Sequence, residues 1–261
     1  MCISITRKLF SLLIVFLLAG SSIAQVQDTF SHISVFDAVH SGSKTVSAKP
    51  SVDYSKVDNY ALSLKKSYRK IPDLAKDLAA PYSTDEEKIR SIFMWITANI
   101  SYDCAEFHSK KDQSISFNYK TAAELEEKRK AYYYNYALKV LKNKKGICEG
   151  YAVLFQELCK ANGIPCEIVI GLASDNVNKI ERLKGKKSFS TNHAWNKVKI
   201  GNEWYYLDAT WASGYCDKPV KKFYRELNLY YYLTPLNKLY STHAENEKQT
   251  EKRNNVIAKS G

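Results

Sequence analysis

Gly146-Ile147-Cys148-Glu149-Gly150-Tyr151-Ala152 opens the stretch of sequence from which the fold is read. Gly146 permits a tight turn. After it Tyr151, Ala152, Leu154, Phe155, Leu158 and Cys159 recur at three and four residues, the period of an amphipathic helix. Asn162-Gly163 closes the run as a C-cap does, with Pro165 two residues on. Cys148 therefore falls in the first turn of a predicted helix. Unpaired N–H groups and the helix dipole there favour a thiolate over a thiol, and the same groups can donate to an oxyanion.

Two further stretches complete the set. His193-Ala194-Trp195-Asn196-Lys197-Val198-Lys199-Ile200 reads as a strand, Gly201-Asn202 as a turn, and Glu203 to Asp208 as the returning strand. With Gly201 and Asn202 as the loop, Ile200 faces Glu203, Trp195 faces Asp208, and His193 faces Thr210. His193 and Asp208 then lie on one face as diagonal neighbours roughly 7–8 Å apart at the backbone, which their side chains can close. An odd-length loop would put them on opposite faces. A Cys, a His and an Asp thus occur in settings that suit a nucleophile, a base and its orienter.

The three motifs resemble those of the transglutaminase-like superfamily, which shares the papain-like fold, and in particular its bacterial and kyphoscoliosis-peptidase-like branch. There a Gly-x-Cys-x-Gly-Tyr-Ala motif carries the nucleophile, His-x-Trp the base and Asp-x-Thr the orienting acid. Cys148, His193 and Asp208 match residue by residue. Trp95 to Asp103 is similar to an upstream family helix, and Tyr231 to Pro235 and Ser241-Thr242-His243 to its closing segment. The resemblance covers roughly residues 57–243. It implies an α+β fold in which N-terminal helices, with Cys148 at a helix N-terminus, pack on an antiparallel sheet carrying His193 and Asp208. Tyr102 is the oxyanion candidate, for want of a Gln motif upstream of the cysteine. Trp195 and Tyr151, which stand inside the base and nucleophile motifs, are the substrate-binding candidates.

The flanks read differently. Arg7 and Lys8 precede an apolar run, Leu9 to Ala19, that is too short to span a bilayer and suits a signal peptide cleaved after Ser22-Ile23-Ala24. The expected division is 1–24 signal peptide, 25–55 poorly ordered linker, 56–244 the transglutaminase-like domain and 245–261 a mobile polar tail. Export, secreted or periplasmic, follows from the leader. Loss of Arg7 and Lys8 lowers the formal charge from +12 to +10. That suits an anionic envelope partner and equally a plain lysine-rich surface. The basic residues are spread rather than banded, so nucleic acid is not expected as a partner.

After Cys2 leaves with the leader, five cysteines remain, which leaves one unpaired in an oxidising compartment. Cys148 is the expected free thiol. Cys159 and Cys166 read as core residues, and a Cys104–Cys216 bridge is compatible with the spacing without being established by it. No Cys-x-x-Cys or His-x-x-x-His pair suggests zinc, no acidic loop resembles a calcium site, and no cofactor is implied. Elsewhere Thr84-Asp85-Glu86-Glu87 and Thr121-Ala122-Ala123-Glu124 read as capping boxes ahead of helices. Pro72 starts another helix, and residues 223–240 read as one or two closing strands.

The chemistry implied is acyl transfer on peptide or protein amides through a thioester. Water as second substrate gives a peptidase or amidase, and an amine gives a crosslinking transglutaminase. A third outcome is the same fold kept as a binding or scaffold module at the cell envelope.

Overall fold

A computed structural model describes residues 52–109, 117–186 and 188–258. The expected leader and nearly all of the expected linker lie outside the described residues. The chain forms α1 (Ser55–Ser63), α2 (Ile71–Ala79), α3 (Asp85–Asn99), β1 (Ser101–Tyr102), α4 (Cys104–His108) and α5 (Ala122–Asn143). There follow β2 (Lys145–Gly146), α6 (Cys148–Ala161), β3 (Cys166–Ala173), α7 (Val177–Glu181), β4 (His193–Ile200) and β5 (Glu203–Leu207). The remainder is α8 (Ala209–Ser213), β6 (Gly214–Cys216), β7 (Phe223–Arg225), α9 (Leu236–Leu239), β8 (His243–Glu245) and α10 (Glu247–Ala258).

The helix starts follow local chemistry. Pro72 sits in the first turn of α2, where a missing N–H costs nothing. Thr84 and Glu87 form a full capping box on α3. At α5 the box is only half made: Thr121 accepts from the Glu124 N–H, while the Glu124 carboxylate turns back to the Lys120 N–H instead. Ile89, Ile92, Phe93 and Ile96 of α3 are fully buried, as their spacing requires. They join Leu74 and Leu78 of α2 and Leu154, Phe155 and Leu158 of α6 in one core. Buried Arg90 ties α3 to α1 through a bidentate pair with Asp58 at 2.6 and 2.7 Å.

The core is closed by an antiparallel sheet of order β5-β4-β3-β8. Helix α6 lies against β4, where the buried Asn196 side chain donates to the Ala152 carbonyl at 3.0 Å. This is the α+β arrangement expected from the sequence, with Cys148 as the first residue of α6. The β4–β5 register is also as expected from Ile200↔Glu203 to Asn196↔Leu207.

One expectation is corrected. Residues 247–258 are not a mobile tail but helix α10, docked on β3. Asn254 bonds both backbone groups of Ile168, Thr250 accepts from the Ile170 N–H, and the Asn246 N–H donates to the Ile170 carbonyl. The segment lacks an apolar stripe because it covers a strand edge with polar side chains, a job hydropathy does not register. Residues 223–240 supply one strand, short β7, followed by a 3₁₀ turn at Leu229–Tyr231 and α9. Residues 104–108 form short α4, capped by Asp103; residues 110–116 lie outside the described residues.

Candidate active site

Each side chain of interest is placed by a short-range device. Strand β1 pairs in parallel with β2, Tyr102 opposite Gly146, and the Asp103 N–H donates to the Gly146 carbonyl. This brings Tyr102 to the start of α6. Extended backbone at Ile147, with no side-chain cap, delivers Cys148 to the first turn of α6, half-buried. The early N–H groups of a helix so built need partners from outside it.

On the sheet, His193 opens β4 opposite Gly171 of β3. The β4–β5 ladder stops at Leu207, so Asp208 and Thr210 do not pair with Trp195 and His193 as expected. Asp208 instead leaves the sheet to cap α8, and its own N–H donates to the Tyr231 carbonyl. Its carboxylate is wholly buried and accepts four hydrogen bonds. Oδ1 takes the Thr210 and Trp211 N–H groups at 2.8 and 3.1 Å; Oδ2 takes His193 Nε2 at 2.7 Å and His243 Nε2 at 3.1 Å. His193 and Asp208 thus meet, and the same-face argument reaches that result even though the ladder ends one residue early.

The electrostatics follow from this pairing. Burial opposes charge on His193, but the Asp208 carboxylate and its hydrogen bond outweigh it. The neighbouring Cys148 thiol adds to the effect, and the imidazole is raised from 6.5 to about 10. Burial likewise opposes charge on Asp208, yet the two imidazoles hold its carboxyl well below the ordinary range. His243 goes the other way: burial outweighs Asp208 and lowers it, leaving a neutral ring. With Nε2 of His193 committed to Asp208, Nδ1 is the nitrogen left for Cys148.

His243 is the residue that sequence reasoning missed. It belongs to Ser241-Thr242-His243, a segment picked out above without a role. It reaches Asp208 from β8, on the far side of β3 from His193, and its Nδ1 meets Thr242 Oγ1 at 2.8 Å. A triad motif has no slot for a second imidazole on the same oxygen.

Trp195 and Tyr151 are corrected as substrate contacts, since both are buried to within 1% exposure. Trp195 packs across Gly171, where a Cβ would come within 2.5 Å of the indole, and its ring lies beside His193 and His243. The Tyr151 hydroxyl donates to the Ile100 carbonyl at 2.8 Å and accepts from Ser213 at 3.2 Å. Both shape the site from behind. Tyr102 does face the open side, lining a cavity of about 610 Å³ together with His193. Burial, with Cys148 the leading charge neighbour, pushes its phenol up, so it stays a donor. Aromatic rings of Phe107, Trp211, Tyr215 and Tyr231 form much of the remaining wall. Ser174 and Asp175, which follow β3, and Lys179 of α7 also line it.

Among the described residues, His193, Asp208 and His243 also form a set of donors that could hold a metal, with ligand atoms within 4.8 Å of one another. The His193–Asp208 separation of 2.7 Å is that of a charge-assisted hydrogen bond. Two ligands on tetrahedral zinc at about 2.05 Å each stand about 3.3 Å apart. The spacing thus fits a shared proton better than a bridging ion.

The family model of the transglutaminase-like superfamily matches residues 72–209, the span from α2 to the first residue of α8. The chain belongs to the transglutaminase-like superfamily. Among individual members, it is 30% identical over 183 residues to human kyphoscoliosis peptidase, covering 69% of this chain and 24% of that protein. It is 25% identical over 163 residues to hillarin of Drosophila melanogaster, covering 62% and 17% respectively. The chain therefore spans about a quarter or less of the length of these relatives. A solved Cytophaga hutchinsonii protein, described as a candidate cysteine protease, is 18% identical and superposes with a TM-score of 0.37 over 75% of this chain and 47% of its own.

Proposed function

We propose that this protein is an exported, cysteine-dependent acyl-transfer enzyme acting on peptide or protein amides. The observation that carries the reading is the buried Asp208–His193 pair, with the Cys148 thiol among the groups that raise its imidazole. The proton of the Cys148 thiol is held on His193 Nδ1, as the imidazolium whose charge Asp208 balances. The sulfur attacks the amide carbonyl carbon, and the resulting oxyanion is met by N–H groups of the first turn of α6 and by the Tyr102 hydroxyl. Collapse breaks the C–N bond, the imidazolium proton goes to the leaving amine, and a thioester remains on Cys148. Water or a second amine then resolves the thioester, with His193 taking its proton. His243 acts through Asp208, holding the carboxylate that orients His193, and is a positioning residue.

Removal of residues 1–24 on export, with a mature chain beginning at Gln25, belongs to the same proposal. Among the described residues no helix is long and apolar enough to cross a membrane. The mature protein should be incubated with peptide libraries, with and without an added primary amine, and the products weighed. Cleaved peptides in both arms assign hydrolysis; amine adducts assign transamidation. Neither product with the wild-type protein, or either one undiminished by Cys148→Ala, overturns the proposal.

A further inference from the structure

A second pocket, of about 360 Å³, lies where α5, α6 and α10 meet the start of β3. It is far from the first cavity. The strand β3 enters this pocket at Cys166 and reaches the other at Ala173, and its eight residues span about 23 Å.

Its principal feature is Arg253. The side chain is more than nine-tenths buried, yet none of its three guanidinium nitrogens has a hydrogen-bond partner among the described residues. Its planar face is taken by the Tyr133 ring, 3.4 Å from the guanidinium carbon. Stacking occupies the face of a guanidinium and leaves its five N–H bonds in the plane, pointing outward. An arginine does not shed its proton to escape this cost. Arg90 of the same molecule is buried to a similar degree and shows the ordinary solution, a bidentate carboxylate. Arg253 lines a pocket instead.

The surroundings have the matching charge. Arg129, Lys130 and Lys160 join Arg253 on the wall, with one carboxylate, Glu157, whose carboxyl burial pushes up; the half-buried carboxyl of Glu149 also acts on Arg253, and the basic groups still outnumber the acids. Ile164 and Pro165 supply an apolar side. A buried, unsatisfied fork beside an apolar wall suits a small oxyanion with a compact apolar body, carboxylate or phosphate forming the parallel pair of bonds that Asp58 forms with Arg90.

We propose that this pocket is a binding site for a small organic anion, held by Arg253 and independent of the Cys148 chemistry. The test is calorimetric titration of the mature protein with benzoate, phenyl phosphate and inorganic phosphate at ionic strength matched with NaCl. Saturable one-to-one binding of benzoate or phenyl phosphate with Kd at or below about 1 mM is expected. A preference for one of them assigns the anion, and weaker inorganic phosphate assigns a part to the apolar wall. Arg253→Gln, checked for unchanged near-UV circular dichroism, should weaken binding at least tenfold, and Lys160→Gln at the exposed rim two- to fivefold. Hydrogen exchange on the wild-type chain keeps the test independent of how the variants fold: ligand should protect residues 129–133 and 249–254. No saturable binding at 10 mM of any of the three overturns the proposal, as does equal affinity in folded Arg253→Gln or protection confined to the Tyr102–His193 cavity.

Discussion

Asp208→Asn is the substitution with the most legible consequences. The Thr210 and Trp211 N–H groups require an oxygen at the Oδ1 position, so the new amide nitrogen must face the imidazoles. It is a donor there. His193 Nε2 must then accept, and the ring proton moves to Nδ1, the nitrogen that has to receive the Cys148 proton. The charge on His193 changes as well. Its present value of about 10 exists because Asp208 overcomes burial. At pH 8 that favours the imidazolium, and loss of the carboxylate leaves burial unopposed and favours the neutral ring. Loss of one partner from a buried, hydrogen-bonded pair also costs about 3 kcal/mol of stability. The assay is long-range ¹H–¹⁵N NMR of histidine-labelled protein titrated from pH 5 to 10, with urea unfolding in parallel. The reasoning is refuted if wild-type His193 is neutral at pH 8, or if it stays charged in the variant.

Further outcomes follow from the same geometry. His193 titrates higher folded than unfolded, so its contribution is complete below about pH 6.5 and is lost as pH rises through about 10. Asp208 titrates lower folded, so its contribution holds above its ordinary 3.8 and is lost on acidification; depressed His243 likewise penalises pH below 6.5. The urea midpoint of the wild type should therefore fall between pH 6.5 and 10 more steeply than that of Asp208→Asn; parallel curves contradict the assignment. Gly171→Ala would bring a Cβ within 2.1 Å of the Ala244 carbonyl and 2.5 Å of the Trp195 ring, and should cost about 3 kcal/mol by thermal unfolding; a shift under about 1 kcal/mol would show that β3 and β8 yield easily. Cys104 and Cys216 lie with sulfurs 3.8 Å apart and unbonded. Mild oxidation with a disulfide reagent should join them with loss of two hydrogens, detectable by peptide mass, while mixed adducts on both thiols would show that the pair does not close.

How much of this could be read from the chain depended on whether the signal was local. The helix at Cys148, the α3 cap at Thr84 and the two-residue turn at Gly201-Asn202 are written in neighbouring residues, and all appear where expected. The Tyr102–Cys148 approach needed the parallel β1–β2 pair, two residues long, which no periodicity announces. His243 reaches Asp208 from 35 residues away, and only the assembled sheet brings β8 beside β3. Trp195 and Tyr151 were legible as members of the site's motifs but not as its buried backing, because a motif does not say which way a side chain points. The tail at 247–258 failed for a different reason: its attachment is polar, through Thr250 and Asn254, and carries no hydrophobic pattern.

The claim that most needs testing is that His193 activates Cys148. Iodoacetamide alkylation, followed by peptide mass at each cysteine between pH 5 and 8, measures it on the wild type and on His193→Ala. Cys148 should react well ahead of Cys104, Cys159, Cys166 and Cys216, and its rate at pH 6.5 should fall at least tenfold in the variant, set against the roughly 10²–10⁴-fold that a positioned general base contributes to a full reaction. A Cys148 that reacts no faster than the other thiols, or at the same rate with and without the imidazole, would contradict the account.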